Sequence, residues 1–251
     1  MRNTIKPIAI AGVLVAGMSS ASAELVVPGF MNDFEAGDSS GWTIAERPQV
    51  GDGATRPEVK NELNGNKYLE YTSTGSRNSS ANRRVAFYNK TTWAGDYSDI
   101  DAITGRVFAT SPTEDFIYLR LGFHGNDDLY YSSKDPFQVA TDGEWNDFSF
   151  SLKSSDYYVQ GPGQWDAWTG STFVASEEGS FQAAISNIHE FKFVSNKAYP
   201  QWGSVDAIAA TVGVDDITAN VSAVPVPGAA WLMVSGLLGL VGMSSRKGVK
   251  A

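Results

Sequence analysis

The chain of 251 residues contains no cysteine. That excludes disulfides, thiolate nucleophiles and cysteine-held metals, so the fold must be stabilised by its core. There are two histidines, His124 and His189, far apart in sequence, and no Gly-x-Ser-x-Gly, so nucleophilic triads lack material. No His-Glu-x-x-His, P-loop or dinucleotide fingerprint occurs. Bases are scarce as well, 19 Lys and Arg against 28 Asp and Glu, a formal charge of −9. Five of the bases (Arg2, Lys6, Arg246, Lys247 and Lys250) sit in terminal segments without acids. The body between them therefore carries 14 bases against all 28 acids, a formal −14. Nucleic acid is excluded as a partner on that balance, because neutralising phosphates needs a basic face. Internal repeats, low-complexity tracts and long apolar runs are absent from the body.

Long apolar runs occur only at the two ends. Arg2 and Lys6 precede the run Ile8–Met18, and Ser19-Ser20-Ala21-Ser22-Ala23 closes it with an Ala-x-Ala site. A basic start, a short apolar stretch and small residues at a cleavage point make residues 1–23 a secretory signal peptide in helical form. At the other end Val224-Pro225-Val226-Pro227-Gly228 breaks the chain, Ala229–Met243 runs without a charge, and Arg246, Lys247 and Lys250 follow. That run is near the lower limit for a membrane-spanning helix, which needs about 20 residues. Gly236, Gly239 and Gly242 leave one helix face nearly bare, which suits close packing in lipid. The basic end should stay cytoplasmic, with the body outside. The string VPVPGAAWLMVSGLLGLVGMSSRK resembles the tripartite tail of PEP-CTERM proteins, in the variant with Val-Pro-x-Pro in place of Pro-Glu-Pro. The resemblance implies recognition by a membrane exosortase, in Gram-negative bacteria that make extracellular polysaccharide. It implies transient membrane anchoring, then display at the surface or release into a matrix. The organisation expected is a signal (1–23), one domain (24–219), a linker (220–223) and a sorting segment (224–251).

The body reads as strands. In Asp115–Phe123, Ile117, Leu119, Leu121 and Phe123 face one way and Phe116, Tyr118 and Arg120 the other. Trp145–Leu152 repeats the pattern, with Phe148, Phe150 and Leu152 inward. Period-two alternation predicts half-buried antiparallel strands. Further strands are predicted over Lys67–Thr72, Arg83–Tyr88, Ile103–Ala109, Leu129–Ser132, His189–Val194 and Val212–Ala219, with turns at Asn64-Gly65, Gly125-Asn126 and Asp142-Gly143. A short helix is expected around Ser180–Ile185. Many short strands with regular turns predict an all-β, antiparallel β-sandwich or jelly roll.

The ends of the body carry a second resemblance. Asn32-Asp33-Phe34-Glu35 and Gly41-Trp42 open it, and Val214-Asp215-Asp216-Ile217 closes it. This resembles the galactose-binding-like jelly roll of many carbohydrate-binding modules. The resemblance implies that the first and last strands pair, and such modules often hold one structural Ca²⁺ between them. Calcium takes six to eight hard oxygens. Glu35 and Asp215 are the preferred side-chain ligands here, with Asp33 and Asp216 in reserve. The alternative is that these acids cap turns or are solvated. Asn126-Asp127-Asp128 lacks EF-hand spacing and reads as a polar turn.

Modules of this kind bind sugars through flat aromatic rings with polar neighbours. The densest supply is Tyr157-Tyr158-Val159-Gln160-Gly161-Pro162-Gly163-Gln164-Trp165-Asp166-Ala167-Trp168, a Gly/Pro-rich stretch expected to be a loop. Tyr157, Tyr158, Trp165 and Trp168 are its candidates, Trp202 is a second, and Tyr118 with Arg120 a third. The alternative places Trp165 and Trp168 as a lid over the core. A polysaccharide-degrading enzyme would need two facing carboxylates. Glu144 and Asp147 come nearest to a motif but lack the Glu-x-Asp-x-x-Glu pattern of sandwich glucanases. The reading that follows is a non-catalytic exported module that binds extracellular polysaccharide. A purely structural matrix or adhesion protein, or a polysaccharide-degrading enzyme, are the alternatives.

Overall fold

A computed structural model describes residues 26–43, 57–76, 84–127, 129–160, 173–197 and 207–221. The expected signal peptide, the sorting segment 224–251 with Val224–Gly228, Arg246 and Lys247, and Trp165, Trp168 and Trp202 lie outside these residues. No described helix is long and apolar enough to cross a membrane.

Alternating apolar residues drive the described chain into strands, which form two antiparallel sheets. In chain order the strands are β1 (Met31–Asn32), β2 (Trp42–Thr43), β3 (Glu58–Asn61), β4 (Lys67–Thr74), β5 (Ala86–Asn89), β6 (Ala102–Thr110) and β7 (Phe116–His124). There follow β8 (Tyr130–Ser133), β9 (Phe137–Ala140), β10 (Asn146–Ser151), β11 (Tyr157–Gln160), β12 (Phe173–Ala175), helix α1 (Glu178–Ile185), β13 (Glu190–Ser195) and β14 (Ala209–Asn220). One sheet has six strands in the order β10-β6-β14-β4-β3, with β1 also on β14. The other has eight in the order β12-β11-β8-β7-β13-β5-β2, with β9 also on β7.

The sheets meet across a shared core. Leu69, Tyr71, Val107, Phe148, Val212 and Val214 from the first sheet join Phe87, Ile117, Leu121, Phe123, Phe191 and Phe193 from the second in one buried cluster. Phe148 meets Phe193 across the gap at a ring separation of 5.4 Å, edge to face, and Tyr71 meets Phe87 at 6.1 Å. Each such buried side chain contributes about 1.5–3 kcal/mol. The architecture is the expected all-β antiparallel sandwich.

The expected pairing of first and last strands is present. Met31 lies opposite Thr218 and Asn32 opposite Ile217. β14 is the spine of its sheet, with β6 along one side and β4 then β1 along the other. Its register shifts between Asp215 and Thr218, where Asp216 takes a positive φ of 50°. That bulge turns the strand from β4 to β1. The predicted strands over residues 67–72, 103–109, 115–123, 145–152, 189–194 and 212–219 are all found. The stretch expected to be a loop from Tyr157 instead begins as strand β11, hydrogen-bonded to β8 and β12.

Candidate functional site

Residues directly opposite each other in an antiparallel pair share a face. Following those pairs across the eight-stranded sheet defines its outer side. Tyr88 lies opposite Lys192, Lys192 opposite Gly122, Gly122 opposite Ser132, and Ser132 opposite Tyr158. His124 lies opposite both Glu190 and Tyr130, and period two adds Tyr118 and Arg120. The core-facing residues of these strands are mostly Phe, Leu, Ile and Tyr, while this side carries charges and four tyrosines.

The face is not solvated as a sequence reading of alternation would have it. Lys192 is 0 % exposed and Glu190 1 %, and Arg84, Arg120, His124, Tyr88 and Tyr130 are buried too. Burying charge is costly unless it is paired, and pairing is what the geometry shows. Glu190 Oε1 accepts from Lys192 Nζ at 2.6 Å, and its Oε2 pairs with Lys90 Nζ at 2.9 Å. His124 Nε2 stands 3.7 Å from Glu190 Oε1. The rings of His124 and His189, distant in sequence, lie 5.8 Å apart. Lys192 Nζ also sits 4.1 Å from the centre of the Tyr130 ring and 5.4 Å from that of Tyr88. Burial pushes the Tyr130 phenol up to about 12, and raises that of Tyr88 further. Gly122 makes this arrangement possible, since a Cβ there would stand 2.5 Å from Tyr130 Oη.

The more open part of the face centres on Arg120. Its Nε donates to Asn196 O at 3.1 Å and its Nη2 to Lys197 O at 3.4 Å. Its Nη1 donates to Ser133 O at 2.7 Å and to Lys134 O. The guanidinium thus clamps two chain segments by their carbonyls, and burial lowers its pKa from the ordinary value. Each clamped segment carries a lysine that reaches a half-exposed tyrosine. Lys197 Nζ is 5.2 Å from the Tyr118 ring, and Lys134 Nζ is 5.3 Å from the Tyr158 ring.

Three of the residues expected to bind sugar therefore come together: Tyr118, Arg120 and Tyr158. Arg120 was expected to point into solvent, and it is instead buried with its donors committed to carbonyls. Tyr157 was expected in an exposed loop, yet it is fully buried against Phe123 and Phe181, because β11 directs it into the core. Lys192, Glu190, Tyr130, Tyr88 and His124 were not foreseen. The alternation of Glu190 and Lys192 with Phe191 and Phe193 was the available signal.

The acids expected to hold calcium lie elsewhere, at the bulge. Asp215 is buried, and its Oδ2 accepts from Arg106 Nη2 at 2.6 Å and from Asn66 Nδ2 at 2.9 Å. Its Oδ1 accepts the Asp216 N–H at 2.8 Å, while Asp216 Oδ2 stands 3.0 Å from Arg106 Nε. Glu35 Oε1 accepts the Lys67 N–H at 2.9 Å, and Glu35 O accepts from Lys67 Nζ at 2.5 Å. Asp33 Oδ1 caps the turn through the Glu35 N–H at 3.1 Å. Glu35 and Asp215 thus flank the Asn66-Lys67 dipeptide, with Lys67 and Arg106 serving their oxygens. Among the described residues no three acidic or imidazole groups converge as metal ligands. In this arrangement the donor set does not fit Ca²⁺, since two side-chain cations already serve it.

Asp147 lines a groove on the six-stranded sheet whose other lining carboxylate, Asp216, is paired with Arg106. Glu144 is exposed and outside that lining. The buried acids among the described residues, Glu190 and Asp215, belong to different sheets.

No family model matches the chain, and no curated protein matches it. Its architecture has neighbours among solved structures. The family 11 carbohydrate-binding module of the cellulosomal cellulase Lic26A-Cel5E of Clostridium thermocellum is 13% identical, with a TM-score of 0.46, over 78% of this chain and 96% of the module. A non-crystalline cellulose specific module, CBM28, is 14% identical with a TM-score of 0.43, over 79% of this chain and 96% of that one. An exo-beta-agarase is 12% identical with a TM-score of 0.48 over 79% of this chain, which spans only 25% of the agarase. At such identities and scores these are neighbours in general shape, and what the chain binds has to be read from its own side chains.

Proposed function

We propose that this chain is an exported, non-catalytic polysaccharide-binding protein of the cell surface or extracellular matrix, and that it binds through the outer face of its eight-stranded sheet. The observation that carries this reading is the set Tyr88, Tyr118, Tyr130 and Tyr158. They stand on one face of four strands, each with a lysine ammonium within 5.4 Å of its ring. Flat aromatic surface with a few fixed polar groups beside it is what a sugar site requires, the ring taking the apolar face of the pyranose and the polar groups its substituents. Tyr118 and Tyr158 are the half-exposed members and make first contact. Glu190 is held among cations, which suits a positioning charge better than an acid catalyst with a second facing carboxylate.

Export belongs to this proposal through the signal at 1–23. Exosortase processing at Val224-Pro225-Val226-Pro227-Gly228, with passage through a membrane by the apolar run and retention by Arg246 and Lys247, is the proposed sorting route. The test is binding of the full-length chain to a panel of soluble polysaccharides, followed by tyrosine and tryptophan fluorescence. Saturable binding that is lost in Tyr118→Ala/Tyr158→Ala supports the reading. Binding unchanged in that variant overturns the assigned face. No binding to any glycan leaves the purely structural matrix protein, a reading that the burial of Tyr88 and Tyr130 favours.

A further inference from the structure

On the strength of that reading, we propose that the polysaccharide bound on this face is anionic, its carboxylate or sulfate groups meeting Lys134 and Lys197 on either side of Arg120. The first observation is where the bases are. Of the 14 in a body of formal −14, six are gathered on or beside this one face: Arg84, Lys90, Arg120, Lys134, Lys192 and Lys197. A random share of so acidic a chain would bring about twice as many acids as bases to the same place. Counted the same way, the described acids there are Glu190, which Lys192 and Lys90 already neutralise, and the exposed Asp135 and Asp156 beside Lys134, so on this face the bases outnumber the acids.

The second observation is which charges lack a counter-ion. Among the described residues no carboxylate lies within ion-pair distance of Arg120, Lys134 or Lys197. Arg120 is 4 % exposed and bonded only to carbonyls, so it carries its charge out of water with no carboxylate bonded to it, Asp135 acting on it only from a distance. A buried positive charge in that state favours an anion brought to its neighbourhood.

The third observation is spacing by construction. Arg120 bonds the carbonyls of Lys134 and Lys197 themselves, so one rigid guanidinium fixes the backbones that carry both lysines. Each lysine in turn lies beside one half-exposed tyrosine. Two ring-and-ammonium pairs held on one frame suit a polymer that repeats a pyranose with an acidic substituent. A ring stacks on the sugar while the neighbouring ammonium meets its anion. A neutral glucan would offer neither ammonium an anion, Lys134 Nζ keeping only its bond to Ser155 O at 2.5 Å, and would desolvate both charges without return.

The experiment measures binding of the full-length chain to polygalacturonate, to the same polymer after reduction of its carboxyl groups, to dextran sulfate and dextran, and to inorganic polyphosphate. The expected result is binding to polygalacturonate or dextran sulfate, the preferred one naming carboxylate or sulfate, at least about tenfold tighter than to the matching neutral polymer. That affinity should fall about tenfold as salt is raised from about 0.05 M to about 0.5 M. Lys134→Gln/Lys197→Gln should cost about five- to tenfold on the acidic polymer and nothing on the reduced one, as expected for two partly exposed ion pairs. An unchanged melting curve for that variant shows that the fold is intact. Equal affinity for acidic and neutral polymers, still lost in Tyr118→Ala/Tyr158→Ala, overturns the anionic ligand and leaves the polysaccharide-binding reading standing. Binding of polyphosphate that ignores the tyrosine substitutions means bare polyanion capture and overturns the proposal. Binding to none of the polymers overturns both readings together.

Discussion

Two single residues show how polar atoms organise this sandwich. Asn32 sits on the short strand β1, almost buried, and its Oδ1 accepts from Trp42 Nε1 at 2.9 Å and from Trp93 Nε1 at 2.5 Å. One carbonyl oxygen thus satisfies two indole donors that the core has taken out of water. Asn32→Leu keeps the bulk and removes the acceptor. It should destabilise the fold by about 2–4 kcal/mol, the cost of two unsatisfied buried donors, read as a lowered denaturation midpoint at constant slope. A loss within a few tenths of a kcal/mol would mean that the indoles find other acceptors. Gly122 is the second case. A methyl group there would meet Tyr130 Cε2 at 2.7 Å, so Gly122→Ala must displace that ring from its place over the glycine. The expected outcome is weakened polysaccharide binding with the core strands intact. Unchanged binding would remove Tyr130 from the site. Of the two, Asn32 is legible in the sequence only as part of a motif, because what it does depends on Trp93, sixty-one residues away.

Among the elements, the tie between the entry turn and β14 is the most informative. The resemblance of the two ends to carbohydrate-binding modules anticipated that β1 pairs with β14, and it implied a metal between Glu35 and Asp215. What stands between them is Asn66-Lys67, with Arg106 behind Asp215. A chelator should therefore leave the melting temperature unchanged. Lys67→Met should lower it slightly, by the worth of an exposed charge-assisted contact of about 1 kcal/mol. A melting temperature that rises with calcium and falls with EGTA would reinstate the ion, with Lys67 Nζ displaced from Glu35 O. Longer strands were legible because apolar residues at every second position of six to nine write the core-facing side into the sequence, as β7 and β10 do. Strands of two or three residues, such as β1, β2 and β12, carry no such pattern, since distant partners define them. β11 was hidden for another reason, its Tyr157-Tyr158 pair running straight into a Gly/Pro-rich stretch. The proposed binding face was half legible. Tyr118, Arg120 and Tyr158 stood out by type, whereas Glu190 and Lys192 looked like ordinary solvent-side residues of an alternating strand. Only tertiary structure shows that their side of the sheet is buried.

For the whole molecule, the consequence of so many buried phenols is a sharp alkaline limit. Burial pushes Tyr71 and Tyr130 from the ordinary value of 10.0 up to about 12, and holds Tyr88, Tyr97 and Tyr157 well above it too. The folded state therefore holds these protons more tightly than the unfolded chain does. Each group contributes stability that is fully present below pH 10.0 and is lost as pH climbs toward the folded value. A fully buried phenol held at about 12 rather than 10.0, as Tyr130 is, contributes about 3 kcal/mol. A few such groups together match the total stability of an ordinary domain, about 5–15 kcal/mol. The sandwich should thus unfold before its buried phenols ionise in place. Phenolate absorbance and far-UV circular dichroism, followed together as pH is raised, check this. Phenolate from these five tyrosines should appear in the same step in which the β signal disappears, and melting temperature should fall steadily above pH 10.0. Full ionisation of all ten tyrosines with the β signal unchanged would mean that solvent reaches the core and the charged face alike. The two sheets would then not be closed over these rings, and the proposed binding face would lose the dry setting in which Lys192 packs against Tyr88 and Tyr130.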